Sequence, residues 1–310
     1  MLSELKTRLK PSFSPLTVHE LRSLMRSPRA YSYLTIYMSI VSGITVLVYL
    51  ATSVNGSNGV NDSSRVGTVL FYVVVGMQTI LVSFLTPSFT AGAISGEREN
   101  DTYELLRITS IMPRQIVTGK LSAAFGFSAL LIFATLPLLS LALLLGGVEL
   151  VQLGAALGVV LMSALFFSTL GLYVSSRTLT KLGATVITYA ITIGIVLGMA
   201  VFMLIAFPLI NDIIYGTSSL VKTSPLMATL LQIVLFLLMG ISPISALVAS
   251  EANLQDSGSI WLISVNPVPG AAPALSLPSP FILLIVLYSV SSAIFVWLTI
   301  RRLSNPIDQL

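Results

Sequence analysis

Two long stretches of this chain contain no charged residue, and they determine the class of protein that it can form. Residues 66–96 and 121–148 lack Asp, Glu, Lys and Arg altogether. A helix needs about 20 apolar residues to cross the hydrocarbon core of a bilayer, so each stretch is long enough. Only 9% of the 310 residues are charged, whereas a soluble domain carries about 25% charged residues. The sequence therefore predicts an all-α polytopic membrane protein, folded as a single transmembrane domain over residues 1–310.

Six apolar runs have the length of a transmembrane helix. A seventh run, residues 225–250, determines the topology, because counting it as a span would move the C-terminus to the other side of the membrane. We predict spans at residues 31–51, 66–93, 117–146, 150–175, 182–209 and 281–300.

The distribution of basic residues decides between these topologies, since cytoplasmic loops carry an excess of Lys and Arg. If the N-terminus is cytoplasmic and residues 225–250 do not cross, fourteen of the 16 basic residues lie inside, and only Arg65 and Lys222 lie outside. A crossing would instead place Arg301 and Arg302 outside. We therefore predict six spans in the plasma (inner) membrane, both termini in the cytoplasm, and a re-entrant or outer hairpin at residues 225–280. Whether residues 225–250 span or re-enter the membrane stays open.

The polar N-terminal segment also has a helical pattern. Thr17 and Glu20 have the spacing of a capping box, and apolar residues recur at helical intervals behind them. We predict an amphipathic helix at residues 16–29 that lies on the cytoplasmic surface of the membrane. The alternative is a soluble tail.

Several function classes conflict with the composition. The chain has no cysteine and one histidine, His19, which argues against a catalytic triad or a histidine metal site within one chain. The apolar runs lack buried carboxylates, which ion-coupled carriers generally use. No phosphate-binding loop is present, because Arg114 and Leu121 occupy two positions that such a loop requires. Basic residues do not alternate with aromatic ones, so nucleic acid is not an expected partner. The chain is predicted not to be an enzyme and to bind no cofactor or metal.

Residues 94–116 form a strongly charged segment between the second and third spans. Asp101 and Glu104 have the spacing of a helix cap, which predicts a short helix at residues 102–108, and Pro113 is well placed to begin the next helix. A short helix with acidic and apolar residues suits docking into a groove on a soluble partner. The alternative is an interfacial loop that contacts only lipid headgroups.

The motifs of this segment are similar to those of one protein family. They are Gly96-Glu97-Arg98-Glu99, Thr102-Tyr103-Glu104-Leu105-Leu106, and Gly119-Lys120 at the entry to the third span. This pattern resembles the membrane (permease) subunits of ATP-binding-cassette transporters of the ABC-2 exporter type. Asn100-Asp101 departs from the family pattern, in which glycine is frequent before the threonine. The six-span layout extends the resemblance over nearly the whole chain.

The resemblance implies the function of an ABC exporter permease. Two such subunits, identical or different, would pair in the lipid bilayer, and a cytoplasmic ABC ATPase subunit, which holds the ATP and magnesium, would bind each of them. The coupling residues implied by the motifs are Glu97, Arg98, Glu99, Thr102, Glu104 and Leu105. Two alternatives stay open: an ATP-independent channel or secondary carrier, and a membrane anchor or sensor that transports nothing. The transported substrate does not follow from the sequence.

Overall fold

The protein is described by a computed structural model over most of its length. The described residues are 28–55, 60–100, 112–202, 204–206, 208, 225–257, 261–265 and 275–304. The interfacial helix predicted at residues 16–29 lies outside this set, except that residues 28 and 29 belong to the first helix. The helix predicted at residues 102–108 also lies outside it.

The prediction of an all-α polytopic membrane protein is confirmed at the level of architecture. Among the described residues, six helical segments are long and apolar enough to cross a membrane, or seven if the bent pair at residues 233–250 counts as one span. The helices are α1 (Pro28–Asn55), α2 (Val60–Thr90), α3 (Ser95–Glu99), α4 (Pro113–Ala134), α5 (Leu136–Leu145), α6 (Leu150–Arg177), α7 (Lys181–Ile193, extended by a π turn at Gly194–Gly198), α8 (Pro225–Met239), α9 (Pro243–Ser257) and α10 (Pro280–Ser304). We number the candidate spans 1 to 6: Ala30–Thr52, Ser63–Glu99, Pro113–Leu145, Leu150–Arg177, Lys181–Ala206 and Pro280–Ser304.

Proline marks where many of these helices begin, because its fixed φ suits the first turn and its missing N–H would have no intrahelical partner there. The helices α1, α4, α8, α9 and α10 all start at a proline. Proline also contributes to a break inside span 3, where α4 ends at Ala134 and α5 begins beside Pro137. Without an N–H, Pro137 cannot continue the hydrogen-bond ladder, so span 3 is interrupted at Thr135.

Neighbouring spans run in opposite directions, which gathers alternate helix ends at two faces. At one face the Tyr33 ring of span 1 meets the Phe89 ring of span 2, with centroids 5.6 Å apart. At the other face the Thr68 hydroxyl of span 2 donates to the carbonyl of Gly147, which precedes span 4, at 3.0 Å.

We call one of these two faces the basic end. It contains the start of spans 1, 3 and 5 and the end of spans 2, 4 and 6. Nearly all basic residues that the structure describes belong to the basic end, whereas Arg65 belongs to the opposite end. Those at the basic end are Arg29, Arg98, Arg114, Lys120, Arg177, Lys181, Arg301 and Arg302.

Between spans 5 and 6 lies a bent helix pair, α8 and α9, whose axes at Ile233–Met239 and Pro243–Ser250 differ by 118°. The bend packs against span 6: the Tyr288 hydroxyl donates to the Ile241 carbonyl at 2.9 Å, and a Cβ at Gly240 would collide with the Leu283 side chain.

The chain then forms a short antiparallel strand pair, β1 (Leu262–Val265) and β2 (Leu275–Pro278), with Ile263 opposite Leu277. The sequence analysis predicted only a hairpin at residues 225–280 and did not foresee these strands.

Spans 4 and 6 form the most extensive helix contact. An aromatic ladder fills it: Tyr288 stacks on Phe166 with centroids 4.1 Å apart, Phe166 lies 6.0 Å from Phe295, and Phe295 stacks on Tyr173 at 5.1 Å. These residues recur every seven positions in each helix, so each pair lies on one helix face. The ladder joins the two spans from mid-depth to the basic end.

Candidate functional site

The candidate site is the junction at the basic end where span 2 terminates in the charged segment. Span 2 leaves regular α-helix after Thr90, turns, and ends in the short helix α3, whose first residue Ser95 is buried. Breaking a helix leaves backbone N–H groups without intrahelical acceptors. Here the Ser175 hydroxyl of span 4 accepts from the N–H groups of Ile94 and Ser95, each at 3.0 Å. One serine thus joins the turn to span 4.

An ion pair joins the same segment to span 3. The Lys120 ammonium donates to the Glu97 carboxylate at 2.7 Å, and their side chains are only 11% and 22% exposed. The pair is largely shielded from water. Removing one partner should therefore lower the free energy of unfolding by more than the value of an exposed pair, below about 1 kcal/mol, and by less than the cost of breaking a fully buried pair, about 3–5 kcal/mol.

A second carboxylate joins the segment to span 5. The Glu99 carboxylate accepts a hydrogen bond from the backbone N–H of Lys181 at 2.8 Å. Lys181 is the first residue of α7, and the Thr180 hydroxyl accepts from the N–H of Gly183 at 3.2 Å. A negative charge at a helix N-terminus is favoured by the helix dipole. Glu99 therefore caps span 5 from another helix.

Two glycines make room for the contact between spans 2 and 5. The Lys181 side chain lies against the backbone of span 2, because a Cβ built on Gly92 would be 2.8 Å from Lys181 Cγ and one on Gly96 would be 3.6 Å from its Cδ. Gly92 and Gly96 are four residues apart and thus on one face, the small-xxx-small spacing that allows close approach between membrane helices.

Apolar residues close the junction beneath the polar contacts. Ile94, Val117, Leu172 and Leu303, one each from spans 2, 3, 4 and 6, form a buried cluster. Together with the Glu99 contact to span 5, this cluster brings five of the six spans to the end of the charged segment.

The structure places three of the predicted site residues, Glu97, Arg98 and Glu99, in α3 at this junction. It brings Glu97 and Glu99 onto spans 3 and 5. Thr102, Glu104 and Leu105 lie outside the described residues, so their predicted docking role stays a prediction.

Sequence reasoning missed Ser175, Lys181 and Gly92. The Gly92-x-x-x-Gly96 spacing was a usable signal for a close contact at this position, whereas nothing in the sequence pairs Ser175 with the turn at Ile94.

The described part of the junction consists of hydrogen bonds, an ion pair and apolar contacts between helices. Over the described ranges, no group of three or more His, Cys, Asp or Glu side chains comes together to hold a metal. What the junction can do is transmit displacement, because a force on the segment after Glu99 reaches span 3 through Lys120, span 4 through Ser175 and span 5 through Lys181.

Hydroxyl and amide groups form polar contacts between helices in the described interior of the bundle. Cross-helix polar contacts join spans 2 and 3, where Gln78 donates to the Ile132 carbonyl at 3.3 Å and Thr86 and Ser128 share a hydrogen bond at 3.0 Å. A cavity of about 10 Å³ lies between spans 4 and 6 and α9, lined in part by Gln152, Ser250 and Phe281. It has room for about one water molecule.

Searches against known proteins place this chain in no family: no protein-family model matches it, and no curated protein matches it either.

Proposed function

We propose that this protein is the transmembrane permease subunit of an ATP-driven ABC exporter, which couples to a separate ATPase subunit through residues 97–108. The observation that carries the proposal is the junction, in which the start of this segment is bonded to three other spans. A permease that is driven by a separate ATPase needs such a connection, because motion of the docking segment must reach the helices that line the transport route.

The basic end is the cytoplasmic side in this proposal. Eight of the basic residues of the described ranges belong to that end and only Arg65 to the opposite one, in agreement with the positive-inside rule. The docking segment then projects into the compartment that holds ATP, and both termini are cytoplasmic.

The bent pair α8–α9 is a re-entrant hairpin in this proposal. Span 5 begins at the basic end and span 6 returns to it, so the chain between them starts and finishes on the outer side. The bend contacts Tyr288, which is eight residues into α10 and therefore about 12 Å along it. In a hydrocarbon core of about 30 Å the bend lies close to mid-depth, where irregular backbone requires burial in protein. Span 6 supplies that burial.

The transport route runs between two permease subunits in this proposal. The cavity between spans 4 and 6 holds about one water, so it cannot pass a solute. A second copy of this chain or a related one would complete the route. The chain itself contributes no cofactor, since ATP and magnesium bind to the ATPase.

The small volume of the cavity between spans 4 and 6 favours one alternative, a membrane anchor or sensor that transports nothing. The two functions differ in whether an ATPase drives movement of a substrate. An ATP-independent channel or carrier lacks comparable support, because the cross-helix polar contacts described within the bundle involve hydroxyl, amide and backbone groups rather than carboxylates.

The test is charge reversal at Glu104, which lies in the proposed docking segment. We expect Glu104→Lys to reduce the ATPase that co-purifies from native membranes by about tenfold or more, the effect of reversing one charge of an interface pair. Glu149→Lys, at the opposite end, is the matched control. Because Glu149 caps the start of α6, this variant should be less stable, but the ATPase recovered per folded protein should equal that of the parent. Equal ATPase recovery with the parent protein and both variants would contradict the proposal.

A further inference from the structure

The aromatic ladder between spans 4 and 6 ends in arginine. The Arg177 guanidinium lies over the Tyr173 ring, 5.2 Å from its centroid. Arg302 is seven residues after Phe295, which is seven after Tyr288, so it belongs to the face of α10 that carries the ladder. One arginine from each of the two spans thus follows the aromatic ladder at the basic end.

Within the described ranges, these arginines lack the partners that such charges usually have. No carboxylate of the described residues forms an ion pair with Arg177, Arg301 or Arg302. The Nε atom of Arg302 is buried and has no hydrogen-bond acceptor within the described part of the chain. A buried donor left without an acceptor costs about 1–3 kcal/mol, and neighbouring positive charges repel one another. An anion beside the accessible guanidinium N–H groups of these arginines would offset the repulsion between their charges.

The surroundings of these arginines suit an amphiphilic ligand. Arg301 lies over the exposed Trp297 ring, 5.3 Å from its centroid. Towards mid-membrane the face of α10 that carries Arg301 continues as exposed apolar residues, Ile294, Val290 and Val286. Arg302 follows Arg301 directly and therefore lies about 100° around the helix from this face. Tryptophan is enriched where the hydrocarbon core meets the headgroups, so the arginines lie at headgroup depth and the apolar column lies along the acyl chains.

We infer that the basic end of spans 4 and 6 is a binding site for an anionic phospholipid. The headgroup phosphate accepts hydrogen bonds from Arg302 and Arg177, Arg301 adds positive charge, and one acyl chain follows the column from Trp297 to Val286. Guanidinium groups suit this role because they bind phosphate through paired N–H donors. A lipid is favoured over a soluble anion because the exposed apolar column begins beside Arg301, one of the three arginines. The inference requires only that the chain is embedded in a membrane.

The test uses the full-length protein in bilayer nanodiscs and its own fluorescence. The chain has two tryptophans, so Trp261→Phe leaves Trp297 as the only reporter. Phosphatidylglycerol brominated on its acyl chains is added to phosphatidylcholine, and quenching of Trp297 measures the local enrichment of the anionic lipid. Each arginine near a phosphate contributes about fivefold in affinity. Enrichment should therefore fall about fivefold in Arg302→Gln and about 25-fold in Arg177→Gln/Arg302→Gln.

Arg114→Gln is the control, since Arg114 is an exposed base at the same end of the protein and outside the site. It should keep the enrichment of the parent. Equal quenching by brominated phosphatidylglycerol and brominated phosphatidylcholine in the parent protein would overturn the inference, and this result does not depend on any arginine variant folding. A loss in Arg114→Gln as large as in Arg302→Gln would overturn it in favour of diffuse charge. Release of the enrichment by inorganic phosphate, with no effect of equal ionic strength from chloride, would show a soluble-anion site instead.

Discussion

At the scale of single residues, the junction depends on side chains that act in pairs. Glu97 holds span 3 through Lys120, and Glu99 holds span 5 through the backbone N–H of Lys181. A carboxylate in this segment therefore has two possible roles, holding the spans together and docking a partner. Variants that change only one of these roles separate them.

A charge swap separates the two roles at Glu97. Glu97→Lys places two ammonium groups together and should lower the free energy of unfolding by about 1–3 kcal/mol. Glu97→Lys/Lys120→Glu restores an opposite pair and should recover most of that loss. Unfolding in mixed micelles with sodium dodecyl sulfate measures both values. If the single and double variants are equally unstable, the Glu97–Lys120 contact contributes nothing to the fold.

The swap also reports on docking. If Glu97 contacts the ATPase directly, the double variant recovers stability without recovering the co-purifying ATPase. Recovery of both would mean that Glu97 acts only through Lys120.

Glycine in span 4 provides a second prediction. A Cβ on Gly171 would collide with the Thr90 hydroxyl of span 2 and lie 3.2 Å from the backbone N of Ala91, whereas a Cβ on Gly154 of the same helix meets nothing within 4 Å. Gly171→Ala should therefore be less stable than Gly154→Ala by about 1–3 kcal/mol, since both gain the same helix propensity. Equal stability in mixed micelles would show that spans 2 and 4 are not in close contact there.

At the scale of elements, the sequence was informative where one physical cause dominates. The need for about 20 apolar residues predicted the six long helices, and proline at a helix start predicted the first residue of α4, Pro113. The interruption of span 3 at Thr135 was not predicted, although Pro137 is a local signal for it. The strand pair β1–β2 was not predicted either, because strand pairing depends on tertiary contacts that local composition does not encode. The partners of Glu97 and Glu99 likewise depend on how the helices pack.

Topology of the α8–α9 pair is testable at this scale. The absence of native cysteine allows single reporters without background. Ser219→Cys and Ser259→Cys flank the pair, and Ser304→Cys reports the end of span 6. A membrane-impermeant maleimide should label positions 219 and 259 from one side and position 304 from the other. Labelling of 219 and 259 from opposite sides would mean that the pair crosses the membrane.

At the scale of the whole molecule, one end carries the charge and the connections while the rest is apolar. Five spans converge on the end of the charged segment, and the arginine-terminated ladder of spans 4 and 6 belongs to the same end. This asymmetry is what a permease driven from the cytoplasm requires. An anchor that transports nothing has no need to bond its charged segment to three other spans.

Photocrosslinking from position 104 tests the central claim most directly. A photoreactive amino acid replaces Glu104 in the full-length protein, and crosslinking is carried out in native membranes in the presence of an azido-ATP analogue. The account predicts a crosslinked product in which the second chain carries the nucleotide label, and no such product when the photoreactive residue replaces Glu149. Crosslinks from position 104 that reach only lipid, or access of an external reagent to position 104 in intact cells, would contradict it.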